Sequence, residues 1–171
     1  EIERFNTDSL LRKLFKNIVT NGKDSLHNYL HDFLIASTYA GIAFGNAGCG
    51  AVHAMSYPLG SIYHVPHGES NYVFFTEVFK TYERLNPNGK LEKLNKILAE
   101  ILNCSVENVF DEIENLLYKI LPKKTLQGYG AKEEDLDIFT DNVITKQGRL
   151  MGNAYIPLDR DTIYNIYKSL Y

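Results

Sequence analysis

Cysteine is scarce in this 171-residue chain: Cys49 and Cys104 stand far apart and form no Cys-x-x-Cys pair. Reduced thiols in a cytoplasmic protein are the simpler reading, and a single disulfide the lesser one. Charge of one sign is also missing. The net charge is only -3 with no polybasic cluster, which speaks against a nucleic-acid surface. No uninterrupted apolar run is long enough to span a bilayer, so no membrane partner is expected. The amino end, Glu1-Ile2-Glu3-Arg4, lacks the basic and apolar regions of a secretory signal. Internal repeats, low-complexity stretches and sustained strand alternation are absent too.

What remains is helical spacing almost throughout, in a length that fits one domain over residues 1–171. Leu10, Leu11, Leu14, Phe15 and Ile18 share one face, and Asn21-Gly22 stops that helix. A longer helix is expected from Asp24 to about Gly45, with Leu26, Leu30, Phe33, Leu34, Ser37, Ala40 and Gly41 packing closely. A third covers Ala51 to Tyr63 with Pro58 disturbing its hydrogen bonding, and Pro66 opens a fourth reaching about Leu85. Lys90 to Leu102 and Ser105 to Leu121 read as an amphipathic pair, with Ser105 the N-cap of the second. Lys132 to Gln147 forms another helix, its acidic first turn (Glu133, Glu134, Asp135) suiting the helix dipole. Asp159 or Asp161 caps a last helix ending near Tyr171. The class is all-α and not a coiled coil.

Three of the five histidines crowd into residues 53–67: His53 on the third helix, His64 near its end, and His67 just past Pro66. Neutral imidazole is a common ligand for catalytic transition metals, and histidines on either side of a bend can converge on one ion. Two are too few for a catalytic site, which takes three or four protein ligands and an open position. By spacing alone, a metal pair and ordinary satisfied histidines both stay open. His27 and His31, four apart on one helical face, form a second possible pair, with surface or interface histidines the favoured reading.

Gly45-Asn46-Ala47-Gly48, followed by Val52-His53-Ala54-Met55, Pro58-Leu59-Gly60 and Pro66-His67-Gly68, resembles the signature of the iron-containing (group III) alcohol dehydrogenases. The likeness runs along nearly the whole chain. Asn6-Thr7-Asp8-Ser9-Leu10 resembles the helix after the family's metal-ligand helix, Lys132-Glu133-Glu134-Asp135-Leu136 a late helix, and Gly152-Asn153 the loop before the last one. The resemblance implies the helical metal-binding C-terminal domain of that fold, which is shared with dehydroquinate synthase. A nucleotide-binding α/β domain would precede it, with the active site in the cleft between the two. It also implies that His53 and His67 are two of four metal ligands. The remaining Asp and His would come from an Asp-x-x-x-His helix expected before Glu1, where the glycine-rich pyrophosphate loop would also lie. The chain, which begins without methionine and runs straight into helix-like sequence, is thus expected to be part of a longer protein. Alone it should bind metal weakly, oxidise no alcohol and tend to self-associate.

The mechanism implied is oxidation of an alcohol, with a divalent ion (iron first, zinc or manganese also suited) as Lewis acid and NAD as hydride acceptor. Tyr57 departs from the family, many of whose members place a histidine there near the nicotinamide. Its phenol, with an ordinary pKa of about 10, is a poorer proton shuttle at neutral pH, so donating a hydrogen bond and packing on the cofactor ring both stay open. His64 is a second relay candidate beside a capping or surface role, and Cys49 a small buried hydrophobe. Arg149 falls where other members line the substrate pocket, and a guanidinium there could bind a carboxylate bidentately, against a solvated loop Arg. Tyr57 together with Gly148-Arg149-Leu150-Met151-Gly152-Asn153 is most similar to the subfamily that interconverts 4-hydroxybutyrate and succinate semialdehyde. The alternatives are a dehydrogenase of a simple alcohol or diol, and a non-enzymatic helical binding module. Homo-oligomerisation is left open.

Overall fold

A computed structural model describes residues 14–171, so the expectations for Asn6 to Leu11 lie outside the described residues. No strand occurs among the described residues, and the chain is all-α. Helix α1 occupies residues 14–21, followed by a 3-10 segment Lys23–Tyr29 and α2 Leu30–Ala47. Then come α3 Ala51–Tyr63, α4 His67–Leu85, α5 Lys90–Leu102, a 3-10 turn Val106–Asn108 and α6 Val109–Ile120. After a 3-10 turn Gln127–Tyr129, α7 Asp135–Lys146, the short α8 Gly148–Met151 and α9 Arg160–Ser169 complete the order. The described chain forms two compact units, one from residues up to Ala47 with Gly89–Pro122, the other from Gly48–Asn88 with Lys123–Tyr171.

In the first unit Leu14 and Ile18 are buried one helical turn apart, and the Phe15 ring meets Phe33 edge-on at 6.1 Å. Helix α5 buries the i, i+4, i+8 stripe Leu91, Asn95 and Ala99 and packs against α6, which buries Val109 and Phe110. Two expectations need correction here. The helix foreseen from Asp24 begins as a 3-10 segment, where the Ser25 hydroxyl donates to the Gly22 carbonyl at 2.6 Å and competes with α-helical pairing. The face foreseen as closely packed is largely exposed: only Ala36 of α2 is buried, with Leu34 67% and Leu30 52% accessible. Helical spacing marks an apolar face but does not supply an element to cover it. Ser105 takes the N-cap position of the 3-10 turn, but its hydroxyl makes no capping bond.

The second unit is built around α3, which packs against α4, α7 and α8, while α9 closes on α4 and α7. Pro58 sits inside α3 without ending it. A proline there deletes one hydrogen bond at a cost of about 3 kcal/mol. Complete burial of its neighbours Ala54, Met55 and Leu59 offsets that loss. An aromatic cluster forms the centre: Tyr167 meets Phe74 at 5.3 Å and Phe139 at 5.5 Å, and all three are fully buried. Burial raises the Tyr167 phenol well above its ordinary pKa, and its hydroxyl donates to the Met55 carbonyl at 2.7 Å. That bond ties α9 to the middle of the histidine-bearing helix.

Helix α7 starts at Asp135, three residues later than expected, because Asp135 reaches back instead of simply facing the dipole. Its carboxylate accepts from the Lys132 amide at 2.7 Å and from the Tyr63 hydroxyl at 2.5 Å. The tyrosine bond holds Asp135 below and Tyr63 above their usual pKa ranges. Asp159, not Asp161, caps α9 by accepting from the Thr162 amide at 2.8 Å. Arg160 pairs with Asp137 and Asp141 of α7.

Candidate metal centre

The entry to α3 sets the position of the first histidine. Gly48 has φ +75°, and a Cβ there would come within 2.8 Å of the Asn153 amide nitrogen, so only glycine suits the site. Asn153 in turn donates to the Cys49 carbonyl at 3.1 Å. The glycine run before α3 and the Gly152-Asn153 loop, remote in sequence, are thereby clamped together, and α3 starts from a fixed point. At its other end His64 adopts the left-handed conformation (φ 55°) and turns the chain, and Pro66 then caps α4. The turn brings His67, the first residue of α4, back to His53.

The two imidazole centroids lie 5.3 Å apart with planes tilted by 49°. Burial, and secondarily the neighbouring His67, lower the His53 pKa below the ordinary histidine value. Near pH 7 it is therefore held in the neutral, ligand-competent form. His67 is exposed, and its Nε2 lies 3.0 Å from the side-chain nitrogen of Asn71, one turn further along α4. This contact fixes the orientation of the His67 ring against α4. Asn71 is held by Ser56, whose hydroxyl lies 2.7 Å from the Asn71 Oδ1 and 3.0 Å from the His53 carbonyl. The single Ser56 hydroxyl proton is shared between the two acceptors, the shorter contact to Asn71 Oδ1 tying α3 to the side chain that touches His67.

Tyr57 stands next to the pair, its ring 6.4 Å from that of His67 and 37% exposed. A cavity of about 460 Å³ opens here, lined among others by Ser56, Tyr57, His67, Asn142, Lys146 and Gln147. His64 and Arg149 are exposed and do not line it; Arg149 sits on α8, two residues past Gln147. Cys49 is half-buried and a free thiol. His27 lies in the 3-10 segment and His31 in α2, both exposed. Among the described residues no group of three His, Cys, Asp or Glu side chains could hold a metal. The chemistry of the His53–His67 pair fits half of a catalytic ligand set. Sequence reasoning missed Ser56, Asn71 and Lys146. The i, i+4 relation of Asn71 to His67 and the i, i+3 relation of Ser56 to His53 were the available signals.

Residues 6–171 match the model of the C-terminal region of the Fe-containing alcohol dehydrogenase family. The chain is 54% identical over 157 residues to a 4-hydroxybutyrate dehydrogenase of Clostridium kluyveri, covering 92% of this chain and 42% of that protein. It is 32% identical over 174 residues to long-chain-alcohol dehydrogenase 1 of Geobacillus thermodenitrificans, covering 95% and 41% respectively. The fold matches an archaeal halo-thermophilic alcohol dehydrogenase from a Red Sea brine pool with a TM-score of 0.83 at 19% identity, over 98% of this chain and 43% of that one. A 1,3-propanediol oxidoreductase matches at TM-score 0.74 and 26% identity, over 98% and 44%. The chain therefore spans about two fifths of the length of these relatives. No helix among the described residues is long and apolar enough to cross a membrane.

Proposed function

The chain belongs to the Fe-containing alcohol dehydrogenase family, whose C-terminal region it carries, and we propose that it is the metal-binding part of an NAD-linked enzyme interconverting 4-hydroxybutyrate and succinate semialdehyde. The observation that carries this reading is the approach of the His53 and His67 rings, from two helices, to 5.3 Å between centroids, with His67 lining a cavity. Imidazoles so paired favour an enzyme over a helical binding module. The substrate assignment is supported by the 54% identity to the Clostridium kluyveri 4-hydroxybutyrate dehydrogenase.

His53 and His67 would hold a divalent ion, iron by the family's description, with the other ligands and the nucleotide site contributed by an N-terminal domain. Such an ion supplies Lewis-acid chemistry, lowering the cost of negative charge on the substrate oxygen as hydride passes to the nicotinamide. This chain's own residues prepare that chemistry. Burial keeps His53 neutral, and the Ser56–Asn71 bridge orients the His67 ring. Tyr57 gives the cavity a phenol that serves as a hydrogen-bond donor and a ring surface for the nicotinamide. His64, at the exposed end of α3, takes the proton-relay role to solvent. Arg149, outside the cavity lining on α8, supplies a second cation for the substrate carboxylate, and the free thiols Cys49 and Cys104 suit the cytoplasm.

A simple alcohol or diol is the second reading, favoured by Arg149 lying outside the cavity lining. Steady-state kinetics on the whole protein separate the two. Arg149→Ala should weaken 4-hydroxybutyrate recognition by about 1.5–3 kcal/mol, the worth of a charge-assisted hydrogen bond, and leave 1,3-propanediol turnover near wild type. Wild-type turnover of the diol with none of the hydroxy acid would reverse the assignment.

A further inference from the structure

We propose that Lys146 recognises the substrate's carboxylate within the cavity beside His67, an inference that rests on the hydroxy-acid reading above. Asn142 and Lys146 stand four apart on α7, which puts both side chains on one helical face, and Gln147 follows directly; all three line the cavity. Tyr57 and His67 line the same cavity, so cation and candidate ligand share one space. Among the described residues no Asp or Glu lines it. Four other cations of this unit have partners among the described residues, unlike Arg149 and Lys168: Arg160 has Asp137 and Asp141, Arg84 has Glu77, Lys132 has Glu134 and Lys123 has Thr76. Lys146 makes no ion pair and Asn142 no side-chain hydrogen bond among the described residues. An ammonium flanked by two carboxamides is a donor set that a carboxylate satisfies and an unbranched alcohol does not. Lys146 is also the last residue of α7, where its charge complements the helix dipole without needing a carboxylate partner. Arg149 provides a second cation in the chain segment that follows, but Lys146 is the one that lines the cavity.

The test uses the whole protein with its metal and NAD, comparing wild type, Lys146→Gln and Lys146→Arg on 4-hydroxybutyrate and on 1-butanol. Loss of one charge-assisted contact should lower the ratio of kcat/KM for the hydroxy acid to that for butanol by about ten- to a hundred-fold in Lys146→Gln. Most of the loss should appear in KM, and Lys146→Arg should recover much of it. Calorimetric binding of succinate should weaken in parallel. An unchanged ratio, equal losses on both substrates, or a rise in the KM for NAD instead would each overturn the assignment. Two outcomes separate this inference from the reading beneath it. Lys146-dependent succinate binding without turnover of 4-hydroxybutyrate removes the substrate assignment and keeps the Lys146 site. Turnover of 4-hydroxybutyrate with an unchanged ratio in Lys146→Gln removes the Lys146 site and keeps the substrate.

Discussion

Helices α2 and α3 are neighbours in the chain, both rich in small and apolar residues, yet they end in opposite environments. Within its unit α2 buries only Ala36 and leaves Leu30, Leu34, Ile42 and Phe44 more than half exposed. Within its own unit α3 buries Ala51, Ala54, Met55, Ser56, Pro58 and Leu59, even absorbing a proline in its interior. The difference lies in the neighbours. Helix α3 is surrounded by α4, α7 and α8 and pinned by the Tyr167 hydroxyl, whereas α2 packs on the 3-10 segment before it and meets α1 through the Phe15–Phe33 contact. The metal-ligand role proposed for His53 needs its helix set to a fraction of an ångström, and α3 has the packing to provide that. An apolar face without a covering element positions nothing.

The contrast is open to direct test by urea unfolding of the chain. Phe74→Ala should remove about 3–5 kcal/mol, because the ring is fully buried against Tyr167, while Leu34→Ala on α2 should change stability by no more than about 0.5 kcal/mol. Comparable losses for the two would show that α2 is covered in solution. A smaller effect is expected from Tyr167→Phe, which keeps the ring and leaves the anchor on the Met55 carbonyl unmade. It should cost about 1–3 kcal/mol in the same assay. An unchanged midpoint would mean that the hydroxyl does not anchor α3.

The smallest effect concerns protons. By NMR, the His53 ring of the metal-free chain should titrate below the ordinary histidine value of about 6.5. His67→Ala should move the midpoint upward only in part, because burial is the larger cause. The sign of the linkage follows. With the folded pKa depressed, the His53 contribution to stability is fully present above about pH 6.5 and is lost as pH falls from there through the lowered value. A midpoint at or above the ordinary value would contradict the buried environment.

Much of this was legible in the sequence where local chemistry decides. The bounds of α3, Ala51 to Tyr63, and of α5, Lys90 to Leu102, and the all-α class followed from helical spacing. His53 and His67 were singled out by their place in a long signature, and the structure brings their rings together. Three features depended on contacts between distant residues and were not legible. The start of α7 is set by Tyr63, seventy-two residues from Asp135. The orientation of His67 depends on Ser56, fifteen residues from Asn71. Lys146, the last residue of α7, shares its cavity with Tyr57 of α3 and His67 of α4, far away in the chain. The exposure of α2 was misjudged for the complementary reason, since periodicity reports a face and not its partner.

The most direct test of the metal centre is the metal content of the whole protein after dialysis, determined for wild type and for His67→Ala. Wild type should retain close to one divalent ion per chain, and His67→Ala should lose most of it together with NAD-dependent oxidation of 4-hydroxybutyrate. Full retention of metal and turnover by His67→Ala would contradict the assignment of the His53–His67 pair as metal ligands.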